Sequence, residues 1–201
     1  MFGPAQKKAA AQRVKGTTLH SIAGVQRGRA FEGSFKIGGV EYDFSYQPDR
    51  AALSGIQLEL TGSLTVIDGR KNARVPPHNV RGVRATLIAA QGGIGTPPPR
   101  DKQPPDIYTA SANLPAVESS GASSFCGALY FKLEPLKGGT LGLPTEMSNV
   151  QLNARLAPRN DEERRLQSAY SSIVDHLYGK EPNSGAASDA LVEINKLLAV
   201  G

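Results

Sequence analysis

Residues Phe31 to Tyr46 read FEGSFKIGGVEYDFSY, and this stretch decides the fold. Gly38-Gly39 supplies a two-residue turn in which both residues can take positive φ, so the segment predicts a β-hairpin. Folding there sets Ile37 opposite Val40, Phe35 opposite Tyr42, Gly33 opposite Phe44 and Phe31 opposite Tyr46. Side chains alternate along a strand, so all of these share one face. Glu32, Ser34, Lys36, Glu41, Asp43 and Ser45 take the other. One face is aromatic and must be covered; the other is polar and suits water.

Downstream, Pro48-Asp49-Arg50 predicts a turn. Ile56 to Ile67 then alternates, with Ile56, Leu58, Leu60, Leu64 and Val66 on one face and Gly62 in step. Asp68-Gly69 marks the next turn. Arg81 to Ala90 predicts a strand with Val83, Ala85, Leu87 and Ala89 together. Ile107 to Asn113 is a weak strand candidate and Phe125 to Leu133 a strong one. Val150, Leu152, Ala154 and Leu156 form the inner face of a last strand. The stretch Leu60 to Gly69, LTGSLTVIDG, is similar to one strand-turn of the YceI-like lipid-binding barrels. That resemblance spans ten residues of 201 and implies no function here.

The period then changes. Asn160 with Glu163 predicts a capped helix start, and Asp161 and Glu162 suit the positive end of the helix dipole. Leu166, Ala169, Tyr170, Ile173, Val174 and Leu177 give a helical stripe that ends at Gly179. Lys180 to Ser188 is expected as a linker. Asp189 to Val200 is expected as a short helix with Leu191, Ile194, Leu197 and Leu198 on one side. The fold class is therefore mainly β, an antiparallel sandwich or barrel of roughly seven strands with one or two C-terminal α-helices.

Charge divides the chain. Residues 1–30 hold six of the 23 basic residues and none of the 18 acidic ones, leaving 17 basic against 18 acidic elsewhere. Three parts are thus expected: a basic extended arm at 1–30, a β domain at 31–179 closed by a helix at 160–178, and a linker with a short helix at 180–201. The arm contributes Lys7, Lys8, Arg13, Lys15, Arg27 and Arg29 as candidate partner contacts. An acidic protein or an anionic membrane surface fits that charge. Nucleic acid is not favoured, because no aromatic lies between Phe2 and Phe31 to stack on bases. Gln91 to Asp106 holds five prolines and three glycines and is expected as a solvated loop, with Pro97, Pro98 and Pro99 as further contacts. The C-terminal stripe of Leu191, Ile194, Leu197 and Leu198 completes the set.

No catalytic or metal-binding pattern stands out. Gly92-Gly93-Ile94-Gly95 is followed by Thr96-Pro97, not by the Lys-Ser/Thr of a phosphate loop. His20, His78 and His176 have no metal-ligand spacing, and the single Cys126 reads as a buried hydrophobe. Glu32, Glu41 and Asp43 fall on the polar face of the hairpin. The expectation is a non-enzymatic scaffold subunit, without cofactor or metal, that contacts other protein subunits of an assembly. A cytoplasmic setting, or one peripheral to a membrane complex, fits the single cysteine. The alternative is a carrier holding an apolar ligand in a cavity lined by Phe35, Tyr42, Phe44, Leu58 and Leu60.

Overall fold

The structure, a computed structural model, describes residues 19–69, 76–91, 127–178 and 183–199. Among them seven strands close a barrel in sequence order: β1 (Ser21–Arg27), β2 (Ala30–Ile37), β3 (Val40–Ser54), β4 (Gln57–Asp68), β5 (His78–Gln91), β6 (Gly127–Leu133) and β7 (Gln151–Leu156). Each strand pairs antiparallel with the next, and β7 closes on β1 in parallel. Seven is odd, so an up-and-down path brings the first and last strands to the seam pointing the same way. Two helices follow, α1 (Asp161–Tyr178) and α2 (Ser184–Ala199).

The Phe31–Tyr46 hairpin has the register its sequence predicts, from Ile37 opposite Val40 to Phe31 opposite Tyr46. Gly38 and Gly39 take φ of 57° and 81°. The aromatic face lines the barrel interior. Phe35 stacks on Tyr42 with ring centroids 5.6 Å apart and lies 6.0 Å from Phe44. Phe31 lies 6.2 Å from both Phe131 and Tyr170, so α1 contributes a ring to the same core. An interior of this strand number is just wide enough for side chains to fill.

Several expectations are corrected. Residues 19–30 are not arm: Ser21–Arg27 is β1, and Leu19 and Ile22 are buried. The strand expected at 107–113 lies outside the described residues, and β1 completes the seven. Pro48-Asp49-Arg50 is no turn but a bulge inside the 15-residue β3. Proline is tolerated there because β2 stops pairing at Tyr46, so β3 beyond it has a strand on one side only. The real turn is at Gly55-Ile56, which leaves Ile56 71% exposed instead of in the core.

In β5 a further bulge between Leu87 and Ala89 reverses the alternation. Ala90 therefore points inward, while Ile88 and Ala89 join Ala128 and Tyr130 in a small buried cluster on the outer face. Gly62 marks a close approach of β3 and β4: a Cβ there would overlap the carbonyl oxygen of Gln47. The helix α2 begins at Ser184, five residues before the expected start, because the Asn183 side chain caps it by accepting from Ala186 N at 3.0 Å.

The strand directions define two ends. The lower end carries the Gly38-Gly39 turn and residues 134–150, whose Leu141, Leu143 and Met147 are buried beneath the barrel. The upper end carries Gly28-Arg29, Gly55-Ile56 and both helices.

Candidate functional site

The upper end is the part of the molecule where chemistry and shape converge. Asn160 Oδ1 accepts from Glu163 N at 2.8 Å, the expected N-cap of α1. The Glu163 carboxylate does more than complete a capping box. It is 4% exposed and accepts from Arg159 N at 2.6 Å and from Gly28 N at 2.7 Å. Glu163 thus ties α1 to the β1–β2 turn. From β1, the buried Gln26 donates through Nε2 to the Glu163 carbonyl at 3.1 Å. Arg29 Nη1 donates to the carbonyl of Leu198 at 2.9 Å, at the last turn of α2, where the helix dipole favours a cation. Arg29 is therefore held within the fold, not free for a partner. Arg27 Nη1 donates to the carbonyl of Gln26 at 2.6 Å.

The stripe assigned to a partner is also used internally. Ile194, Leu197 and Leu198 are buried in the main core, and Leu191 packs against it. A short amphipathic helix needs a surface, and the barrel supplies it. Asn195 fixes the contact: its Oδ1 accepts from Ala51 N at 2.8 Å and its Nδ2 donates to Ala51 O at 2.9 Å. The Asn195 amide takes the place of the strand that β3 lacks beyond Tyr46.

On the solvent side of the two helices lies a groove of about 410 Å³. It is a shallow, largely open hollow lined by Arg164, Arg165, Ser168, Ala169 and Ser172 of α1 and by Ala190 and Glu193 of α2. Arg165 Nη2 reaches Glu193 Oε1 at 3.3 Å across the groove, and Arg164 Nη2 reaches Asp161 Oδ1 at 2.7 Å. Both arginine side chains remain about 60% exposed (60% and 62%). No sequence motif announced this groove. Its only signal is the run of small residues on facing helices.

The residues proposed to line a ligand cavity, Phe35, Tyr42, Phe44, Leu58 and Leu60, all lie in the main core. Burial pushes the Tyr46 and Tyr170 hydroxyls well above the usual phenol range. Tyr46 Oη is shared between the carbonyls of Val83 at 3.0 Å and Leu60 at 3.2 Å. Tyr170 Oη has no hydrogen-bond partner among the described residues. No group of three or more His, Cys, Asp or Glu among those residues could hold a metal ion. Lys7, Lys8, Arg13, Lys15, Pro97, Pro98, Pro99 and Cys126 lie outside the described residues.

Comparison of the chain with protein-family models, with curated proteins and with solved structures finds no match in any of the three.

Proposed function

We propose that this chain is a non-enzymatic scaffold subunit that works by protein–protein contact within a larger assembly. The observation that carries the reading is the use of the barrel interior. Its rings contact one another, Tyr170 of α1 packs on Phe31, and helices and loop residues cover both ends. A side-chain core of this kind is a stiff support. Attachment belongs to the surface: the basic residues Lys7, Lys8, Arg13 and Lys15, the Pro97–Pro99 run, and the helical groove.

The setting proposed is cytoplasmic or peripheral to a membrane complex. Among the described residues no helix is long and apolar enough to cross a membrane. The exposed Glu32, Lys36, Glu41 and Asp43 on the outside of β2 and β3 are the reverse of a lipid-facing strand pattern.

Native mass spectrometry of the complex isolated from its source tests the proposal. Additional protein subunits bound to the chain support it. A chain of its own mass plus a bound apolar molecule would replace it with the carrier reading.

A further inference from the structure

We propose that α2 covers a self-pairing edge of the barrel, and that loss of the Asn195 clamp lets a second copy of this chain pair with β3 there. The inference is independent of the scaffold reading, because it concerns how the chain avoids its own copies.

The edge follows from strand lengths. β3 runs for 15 residues, but β2 pairs with it only as far as Tyr46, so among the described strands residues 47–54 have β4 alone beside them. A strand edge with free N–H and C=O groups is a template for another strand unless something blunts it. The first part is blunted by its own sequence. Pro48 has no N–H, the bulge between Pro48 and Arg50 breaks the ladder, and Asp49 and Arg50 are charged and exposed. The second part, Ala51-Ala52-Leu53-Ser54, has none of these devices.

Asn195 stands on that second part. Its Oδ1 accepts from Ala51 N at 2.8 Å and its Nδ2 donates to Ala51 O at 2.9 Å, the two bonds that a neighbouring strand residue would make. Ala51 therefore turns both groups away from β4, and alternation gives Leu53 the same orientation. Arg29 lies two residues before Phe31, which pairs with Tyr46 at the end of the β2–β3 ladder, and Arg29 donates to Leu198 O. With Leu198 near the ladder's end and Asn195 at Ala51, α2 runs antiparallel to β3, and its earlier Leu191 lies toward Leu53. Both leucines pack against the main core. Asparagine is a poor residue for a helix interior. Here its amide suits the task, because it offers a donor and an acceptor side by side.

The occupant that fits the uncovered edge is a second copy. Antiparallel pairing about a two-fold axis at Leu53 lets each Leu53 give its N–H to the other's carbonyl, so the edge is its own complement. Ile56, three residues on, is 71% exposed and adds apolar surface to that contact.

Sedimentation velocity of the full-length chain over a dilution series tests the proposal. Asn195→Ala should keep the helix, since alanine is the strongest helix former, yet dimerise at least about tenfold more strongly than the wild type. By hydrogen exchange, its Ala51 and Leu53 amides should be less protected than the wild type's at low concentration and regain protection as the dimer forms. Adding Leu53→Pro removes both reciprocal bonds at an edge position that tolerates proline, and should return the variant to monomer. Ser54→Lys, a charge at an exposed position of the same edge, is the milder block and should act in the same direction if the proline chain fails to fold. An Asn195→Ala chain no more associated than the wild type, or a dimer that neither block weakens, would overturn the proposal.

Discussion

Replacing Glu163 by alanine should be among the most damaging single changes to a charged residue of this chain. The carboxylate accepts two backbone N–H groups, Gly28 at 2.7 Å and Arg159 at 2.6 Å, in a site where the residue is 4% exposed. Hydrogen bonds to a charged group contribute about 1.5–3 kcal/mol each, and the abandoned N–H groups lose their partner where water has little access. Partial burial of the two N–H groups argues for the middle of that range, so the expected loss is about 3–5 kcal/mol. For a chain of this length that lowers the thermal midpoint by about 10 °C. Glu162→Ala is the internal control. Its side chain is 59% exposed and lies 3.9 Å from Arg29, an ion pair worth under about 0.5 kcal/mol. Glu163→Gln keeps a carbonyl oxygen and should lose roughly half as much as alanine. Guanidinium unfolding of the three variants, with slopes compared as well as midpoints, measures the differences. If Glu163→Ala and Glu162→Ala unfold within about 0.5 kcal/mol of each other, the tie between α1 and the β1–β2 turn does not hold the cap in place.

Four further outcomes are expected. Phe44→Ala should cost about 3–5 kcal/mol and Lys36→Ala under about 0.5, because one is 3% exposed in the core and the other is exposed; equal denaturation midpoints would contradict the hairpin register. Deleting residues 1–28 removes β1 and should abolish cooperative unfolding by circular dichroism, whereas a basic arm independent of the fold would be dispensable. Because burial raises the Tyr46 and Tyr170 pKa values, the folded chain keeps phenolic protons that the unfolded chain releases near pH 10, so stability should be flat below about pH 9 and fall above 10 by about 1.4 kcal/mol per pH unit for each such tyrosine, with Tyr130 and Tyr178, also raised by burial, adding to the fall; Tyr170→Phe should take about 1.4 kcal/mol per pH unit off that slope without loss at pH 7, and an unchanged slope would contradict the assignment. Charge reversal at Lys7, Lys8, Arg13 and Lys15 should remove most of the salt dependence of the on-rate for the native partner in surface-plasmon kinetics, and a wild-type slope in the variant would end that role.

The hairpin was legible because turn chemistry and period-two alternation agree at every position from Phe31 to Tyr46. The strand just before it was not. Three side-chain positions of β1 face inward, and only Ile22 is aliphatic. Gly24 is inward because the Phe44 ring lies against it, at 3.1 Å from where a Cβ would sit. Gln26 is inward because it bonds the carbonyl of Glu163. A strand whose inner face is completed by a ring from β3 and a helix from the far end of the chain shows no alternation of its own. The bulges at Pro48–Arg50 in β3 and Leu87–Ala89 in β5 hid themselves for a related reason: an extra residue reverses the alternation, and of the strand irregularities only the one opposite Gly62-Ser63 is marked by a positive-φ glycine, Gly82 at 73°. Glu163 was read correctly as a local cap, but its longer reach to Gly28 depends on the barrel bringing residues 135 positions apart together. The groove arises from how two helices lie side by side, and no single helix encodes it.

The topology places the two attachment points of the proposed scaffold, the start of β1 and the helical groove, at different ends of the barrel. The chain enters β1 at Ser21, at the lower end, where His20 O accepts from Gln151 N at 2.9 Å. Gly28, Arg29 and both helices stand at the upper end, with the groove on their outer side. Seven residues of strand separate the ends, roughly 20 Å at about 3.3 Å per residue. A partner segment in the groove therefore leaves the start of β1 available to a second contact. The two sites differ in kind. The basic residues preceding β1 should act on a partner through charge at long range, which salt screens. Any contact made in the groove, where both arginines are already paired with carboxylates, should respond less to salt and show in the off-rate. If one partner engages both ends, breaking either contact should weaken binding far more than the lost contact alone, since the second event becomes intramolecular. If two partners share the barrel, each set of substitutions should release one and spare the other. The stiff, ring-filled core between the ends is what lets the distinction be measured.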